Sequence, residues 1–183
     1  GHLTLVETPH NHIGARKVNR ADFALPRHRP RNPWGQLSLV GSASRIRDYL
    51  ARLDSSAPRL DLAGTFRDEA SEGLGGIPEW KSQLGLRWKR ERWTGSYQIH
   101  YVDKMEVLGP GTSGTRHIAA WLVHDLQLSH TFDVHRGLRL TLGVDNLFDE
   151  PAPLASSAFN DNIDGRTHEL KGRYWYTRLS QRL

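Results

Sequence analysis

The chain has 183 residues, with 25 Lys and Arg against 20 Asp and Glu for a formal net charge of +5, no Cys, and Met105 as its one methionine. That length holds one domain with a real core and is too short for two ordinary ones; the lack of Cys excludes disulfide frameworks, thiolate metal sites and Cys nucleophiles, and a pI near 9.8 permits an acidic or polyanionic partner without naming one. The longest purely apolar run, Ile118 to Val123, falls far short of the roughly 18 residues of a spanning helix, so helical membrane proteins are excluded, whereas a mean hydropathy of −0.60 is what a membrane β-barrel gives, because half of each strand faces a polar lumen.

In chain order, the elements follow a period of two. Residues 1 to 30 carry no apolar signal segment and the chain begins at Gly1, so any export address is expected upstream. Leu3 to Glu7 is a candidate short strand, and Ala15 to Leu25 a longer one. Gln36 to Asp48 places Leu37, Leu39, Gly41 and Ala43 on one side. From Trp80 to Trp88, Trp80, Ser82, Leu84, Leu86 and Trp88 alternate with Lys81, Gln83, Gly85 and Arg87. Tyr97, Ile99 and Tyr101 alternate with Gln98 and His100, and Leu122, Leu126 and Leu128 with Val123, Gln127 and Ser129. Leu138, Leu140, Leu142 and Val144 alternate with Arg139, Thr141, Gly143 and Asp145, and Gly172 to Leu183 closes the series. These are seven or eight antiparallel strands, several longer than soluble sheets use and close to the 9–11 residues of a tilted membrane strand.

The connections alternate in length. Arg29 to Pro33, Glu91 to Arg92 and Asp133 to Gly137 are short; Tyr49 to Glu79, Lys104 to Arg116 and Phe148 to Lys171 are long. Outer-membrane barrels have this asymmetry, with tight periplasmic turns and long extracellular loops. Within the first long loop, Leu60, Leu62 and Phe66 alternate and mark a possible additional strand. Trp80 and Trp88 share a face eight residues apart, roughly 21 Å along the membrane normal at about 3.4 Å per residue and about 40° of tilt, which matches the spacing of two aromatic girdles.

Motifs for chemistry are weak. Gly109-Pro110-Gly111-Thr112-Ser113-Gly114 has dinucleotide-fingerprint spacing but lacks the buried strand before it and the helix after it. Asn160-Asp161-Asn162-Ile163-Asp164-Gly165 opens like a calcium loop, yet Lys171 stands where the bidentate Glu belongs and would repel the ion. His10, His12 and His28 lack a further ligand at metal spacing. No nucleophile elbow, P-loop or zinc-protease motif occurs, so neither an enzyme nor a bound cofactor is expected. Trp88-Lys89-Arg90-Glu91-Arg92-Trp93 pairs cations with aromatics as single-strand binders do, but its place at a hairpin turn suits an anionic lipid surface instead.

The last third is more specific. Leu140-Thr141-Leu142-Gly143-Val144-Asp145-Asn146-Leu147-Phe148-Asp149-Glu150-Pro151, then Phe159-Asn160-Asp161-Asn162, then Gly172-Arg173-Tyr174-Trp175-Tyr176 closely resembles the C-terminus of TonB-dependent outer-membrane receptors, with Asn146, Leu147, Phe148, Asp149, Gly172 and Arg173 as the signature. Gly76 to Lys81 and His124 to Ser129 look like preceding strands of that family, which usually ends in an aromatic residue where this chain has Leu183. The resemblance implies an all-β fold, with residues 1–183 as the C-terminal part of a larger, 22-stranded antiparallel transmembrane β-barrel, and a plug domain, TonB box and signal peptide outside these residues. It implies bacterial outer-membrane localisation and energy-coupled uptake of a scarce ligand, a ferric siderophore most often. The implied partners are TonB through that N-terminal part, the barrel-assembly machinery, outer-membrane lipid and lipopolysaccharide, and a small iron chelate, with no nucleic acid. Lys81, Arg87 and Arg139 fall on the lumen side by alternation and are the candidate ligand-binding residues. A complete eight-stranded barrel and a soluble basic β domain that binds nucleic acid are the alternatives.

Overall fold

A computed structural model describes residues 15–28, 33–52, 58–67, 75–108, 117–133, 137–155, 158 and 162–181. Every regular element among them is a strand: β1 (Ala15–His28), β2 (Gln36–Arg52), β3 (Leu60–Asp61), β4 (Thr65–Arg67), β5 (Gly75–Ile77), β6 (Trp80–Arg90), β7 (Trp93–Val102), β8 (Met105–Val107), β9 (His117–Ile118), β10 (Trp121–Thr131), β11 (Arg139–Asp145) and β12 (Tyr174–Ser180). No helix in this set is long and apolar enough to cross a membrane, which says nothing of strands. Leu3 to Glu7, His10, His12, Gly109 to Gly114, Asn160, Asp161 and Leu183 lie outside the described residues.

The wall is an antiparallel meander in the order β1-β2-β6-β7-β10-β11-β12, with β3 paired to the end of β2. Register fixes its faces, because directly paired residues share a side. Leu84 stands between Gly41 and Ile99, Leu86 between Leu39 and Tyr97, and Leu126 between Tyr97 and Val144. One face therefore carries a continuous sheet of Leu, Ile and Val, and many of its large apolar side chains, Leu84, Leu86, Leu126 and Leu142 among them, are exposed. The other face carries Ser42, Gln83, His100, Asp125 and Asp145. Soluble sheets bury the apolar face; this sheet presents it outward, as a lipid-facing wall does.

Aromatic belts mark both margins of that face. Phe23 stacks on Trp80 with centroids 6.3 Å apart, and the Arg45 guanidinium lies 5.2 Å from the same indole ring. At the opposite margin His130 is held between Trp93 at 4.3 Å and Phe132 at 4.6 Å, while Trp88 Nε1–H donates to the Trp34 carbonyl at 2.8 Å. Trp80 and Trp88 thus occupy the two girdles that their spacing requires. The basic and aromatic segment 88–93 closes the β6–β7 hairpin, whose turn residue Glu91 has a φ of 51°.

β2 continues to Arg52 and does not stop at Asp48 as the alternation implies. A bulge opposite Asn19/Arg20 is the reason: it inserts an unpaired residue and inverts the parity of the residues beyond it. Ile46, Tyr49 and Ala51 can then share a side and pack with Leu62 and Ile77.

The long connections are more than loops. The first two supply a second sheet, β5-β4-β8-β9, in which β4 and β8 run parallel. Phe66, Met105, Val107, Ile118 and Ala155 form its core, with Ala158 against it; each large side chain so buried contributes about 1.5–3 kcal/mol. Ala155 brings in the third long connection, so all three converge on one cap at a single end of the wall. β1 and β12 are the wall's margins and do not pair with each other among the described residues; Leu3 to Glu7, the first strand of a closed eight-stranded barrel, lies outside them. Backbone groups in lipid must be paired, so each margin of a lipid-facing sheet needs a neighbouring strand.

Candidate functional site

The polar face is ordered by cross-strand bonds. Gln83 Nε2–H donates to Gln98 Oε1 at 3.2 Å, and His100 Nε2 lies 3.0 Å from Asp125 Oδ2. Ser129 and Thr141 hydroxyls meet at 2.9 Å. A Cβ at Gly143 would strike the Tyr176 ring at 2.2 Å, so glycine lets that ring lie across the strand and its hydroxyl donate to Gln127 Oε1 at 3.1 Å.

Where β11 leaves the wall, the signature residues make a staple. Asn146 N–H donates to Asp125 Oδ1 at 2.8 Å; its amide nitrogen donates to the Glu150 carbonyl, and its amide oxygen accepts from Glu150 N–H, both at 2.8 Å. Asn146 and Asp149 both have left-handed φ, 53° and 60°, a conformation that Asn and Asp tolerate better than most residues. Asp149 Oδ1 accepts from Arg173 N–H at 2.8 Å, and the Arg173 guanidinium lies 3.6 Å from Asp149 Oδ2. Gly172, at φ 64°, completes the return to β12. Leu147 N–H donates to the His124 carbonyl at 2.7 Å, and Phe148 packs edge-on against the His124 ring at 5.0 Å. The signature therefore fastens the exit of one wall strand to the start of the next; Asn146 and Gly172 touch the rim of the larger cavity, and the other four stay outside it.

The third connection then folds over the polar face. Asp164 and His168 are buried; His168 N–H donates to the Asp164 carbonyl at 3.0 Å, and the His168 ring meets Trp121 edge-to-face at 5.5 Å. A Cβ at Gly76 would lie 2.2 Å from Asp164 Oδ2, so the glycine admits this carboxylate against the cap. Burial is the main influence holding the His168 imidazole below its ordinary pKa. Between this segment and the wall lies a cavity of about 760 Å³, lined by Ser42, Ser44, Lys81, Gln83, Gln98, His100, Trp121, Asp125, Asp145, His168 and neighbours. A second cavity of about 560 Å³ lies toward the short-turn end of the same face and is lined by Arg87, Lys89, Arg92, Arg139, Glu91 and nearby polar residues.

All three candidate ligand-binding residues thus stand on the polar face, in two places: Lys81 at the mouth cavity, Arg87 and Arg139 at the basic one. Trp121 and His168, both on the mouth wall, were missed by sequence reasoning. Parity with Val123 and Asp125 assigns Trp121 to the polar face; His168, in a connection without periodicity, carries no comparable signal. Among the described residues no group of acidic and His side chains is arranged to hold a metal ion.

A family model described as TonB dependent receptor-like, beta-barrel matches residues 11–147, well over half of the chain and every wall strand except β12. No curated protein and no solved structure matches the chain.

Proposed function

Because the chain belongs to the TonB-dependent receptor-like β-barrel family, a family of outer-membrane receptors and transporters and not of enzymes, we propose that these residues form the C-terminal wall of a receptor that takes up a ferric siderophore. TonB acts through a segment N-terminal to this wall, and the barrel-assembly machinery inserts it among lipid and lipopolysaccharide. The single observation that carries the wall reading is the inverted sheet: apolar side chains of Leu84, Leu126 and Leu142 outside, polar side chains and two cavities within. Lys81 meets the ligand at the mouth; Arg87 and Arg139 line its later route, where a basic wall favours an anionic chelate.

The test is uptake of radiolabelled ferric siderophores by cells carrying or lacking the intact receptor, each with and without TonB. Accumulation that needs both proteins, and that falls when Lys81, Arg87 and Arg139 are all replaced by Gln, supports the reading. Uptake of a panel of hydroxamate, catecholate and hydroxycarboxylate chelates that is indifferent to the receptor contradicts it.

A further inference from the structure

The apolar face of the wall is not evenly filled. Register sets Phe23, Ala43 and Ser82 in one row across β1, β2 and β6, and Leu25, Gly41 and Leu84 in the next. Three of these six side chains are small or absent, and a crevice of about 320 Å³ opens among them. Its walls are accessible, with Phe23 55%, Leu25 52% and Leu84 42% exposed. Gly41 is its floor: a Cβ there would stand 3.3 Å from Leu84 Cδ1 and 3.7 Å from Leu25 Cβ, and a larger side chain would fill the gap between them. The φ of Gly41 lies outside the left-handed region, so the backbone does not demand glycine; glycine inside a strand often marks a place where another molecule approaches closely.

The crevice lies just inside the belt at the cap end. Phe23, which lines it, stacks on Trp80, and the Arg45 guanidinium lies 5.2 Å from the same indole. Arg45 is four residues from Gly41 along β2, about 14 Å at about 3.4 Å per residue, so a fixed cation stands at the water side of an apolar slot. Among the described residues Arg45 meets the indole and no carboxylate; the next carboxylate along β2, Asp48, accepts from Asn19 Nδ2–H at 3.1 Å. Lys17 and Arg47, on the cap side of Arg45, are also exposed. A guanidinium stacked on an aromatic face keeps its in-plane N–H donors, and their fork matches the oxygens of a phosphate. A cation at the belt above an apolar slot is the chemistry of an anionic lipid site.

We propose that this face binds one lipopolysaccharide molecule through its lipid A, with a phosphate on Arg45 and an acyl chain laid over Gly41 between Leu25 and Leu84. Position and charge select this occupant. The long connections put the cap end in the outer leaflet, where lipopolysaccharide is the acylated phosphate, and a zwitterionic lipid would bring its own cation up to Arg45. The inference rests on the lipid-facing wall and not on which ligand is transported.

The test is native mass spectrometry of the intact detergent-solubilised receptor, titrated with bisphosphorylated hexa-acyl lipid A, its dephosphorylated form, phosphatidylglycerol and phosphatidylethanolamine. Expected is a saturable adduct of one lipid A, with each of the other three lipids bound tenfold more weakly or less. Arg45→Gln weakens the adduct by about tenfold, Arg45→Lys restores part of it, and Gly41→Val, which fills the floor and leaves every charge in place, weakens it by about fivefold or more. Arg90→Gln removes the same charge at the opposite margin and leaves the adduct unchanged. An unchanged heat-modifiable band shows that the variants are folded. Phosphatidylglycerol bound as tightly as lipid A, an adduct indifferent to Arg45→Gln or to Gly41→Val, or an equal loss in Arg90→Gln overturns the proposal. No transported ligand enters this measurement, so its failure leaves the uptake reading standing, and a failure of uptake leaves the lipid site standing.

Discussion

Leu142, in the middle of β11, is 52% exposed, while Phe66, in the short strand β4, is 1% exposed. In a soluble domain the long central strand would hold the core and the loop strand would be wet; here the positions are exchanged. The wall relies on lipid to cover its apolar face and on cross-strand hydrogen bonds for its backbone. The cap follows the rule of soluble proteins, with a packed core of Phe66, Met105, Val107 and Ile118. One chain thus folds for two solvents, and the boundary between them runs along the aromatic belt of Phe23 and Trp80.

Substitutions that respect or cross this boundary sharpen the comparison. Phe66→Ala empties the cap core and costs about 3–5 kcal/mol there; hydrogen exchange should accelerate at Met105–Val107 and leave β6, β7 and β10 protected. Accelerated exchange throughout the wall would show that the two regions are one cooperative unit. Leu142→Arg places a charge in the lipid-facing band and lowers stability by about 2–4 kcal/mol in urea unfolding from lipid vesicles, whereas Gln98→Arg on the polar face changes it by less than about 1 kcal/mol. Equal effects of the two would remove the distinction between faces.

The staple fastens β11 to β12 within the wall, and Asn146→Ala should cost about 1–3 kcal/mol through the loss of both amide bonds to Glu150 and of a residue suited to left-handed φ. Faster amide exchange at Glu150 and Arg173 is the readout; Asn146→Gly, which relieves the φ alone, should fall between. The smallest effect is with pH. The His168 value lies below the ordinary 6.5, so the unfolded segment binds more protons between the two values and docking weakens as pH falls through that window. Asp164 on the same segment opposes this shift and Lys81 from β6 reinforces it, with burial dominant. Proteolytic nicking near Arg166 should increase from pH 7 to pH 5 and lose that dependence in His168→Phe; nicking independent of pH in the parent protein would contradict it.

The wall was legible because period two is local: Trp80 to Trp88 and Leu138 to Asp145 declare their faces without any partner strand. The phase of short and long connections was legible for the same reason. The cap was not, since β4 and β8 are three residues each and pair across some forty positions, a contact no local pattern encodes. Leu60, Leu62 and Phe66 hinted at it, and only the pairing turns that hint into a sheet. Alternation placed Lys81, Arg87 and Arg139 on the polar face yet gives no depth, so it could not separate one cavity from the other. Trp121 was masked by the apolar run Ile118 to Val123, in which both parities are hydrophobic.

The most direct measurement uses the absence of Cys from these 183 residues, with any Cys elsewhere in the receptor replaced by Ser. Single cysteines at Leu84, Leu126 and Leu142 on one face, and at Gln83, Gln127 and Thr141 on the other, are spin-labelled in the intact receptor and reconstituted into vesicles. Expected is relaxation by dissolved oxygen at the three Leu positions, with little effect of a water-soluble nickel chelate, and the reverse ratio at Gln83, Gln127 and Thr141. Strong nickel accessibility at all three Leu positions would contradict the lipid-facing wall.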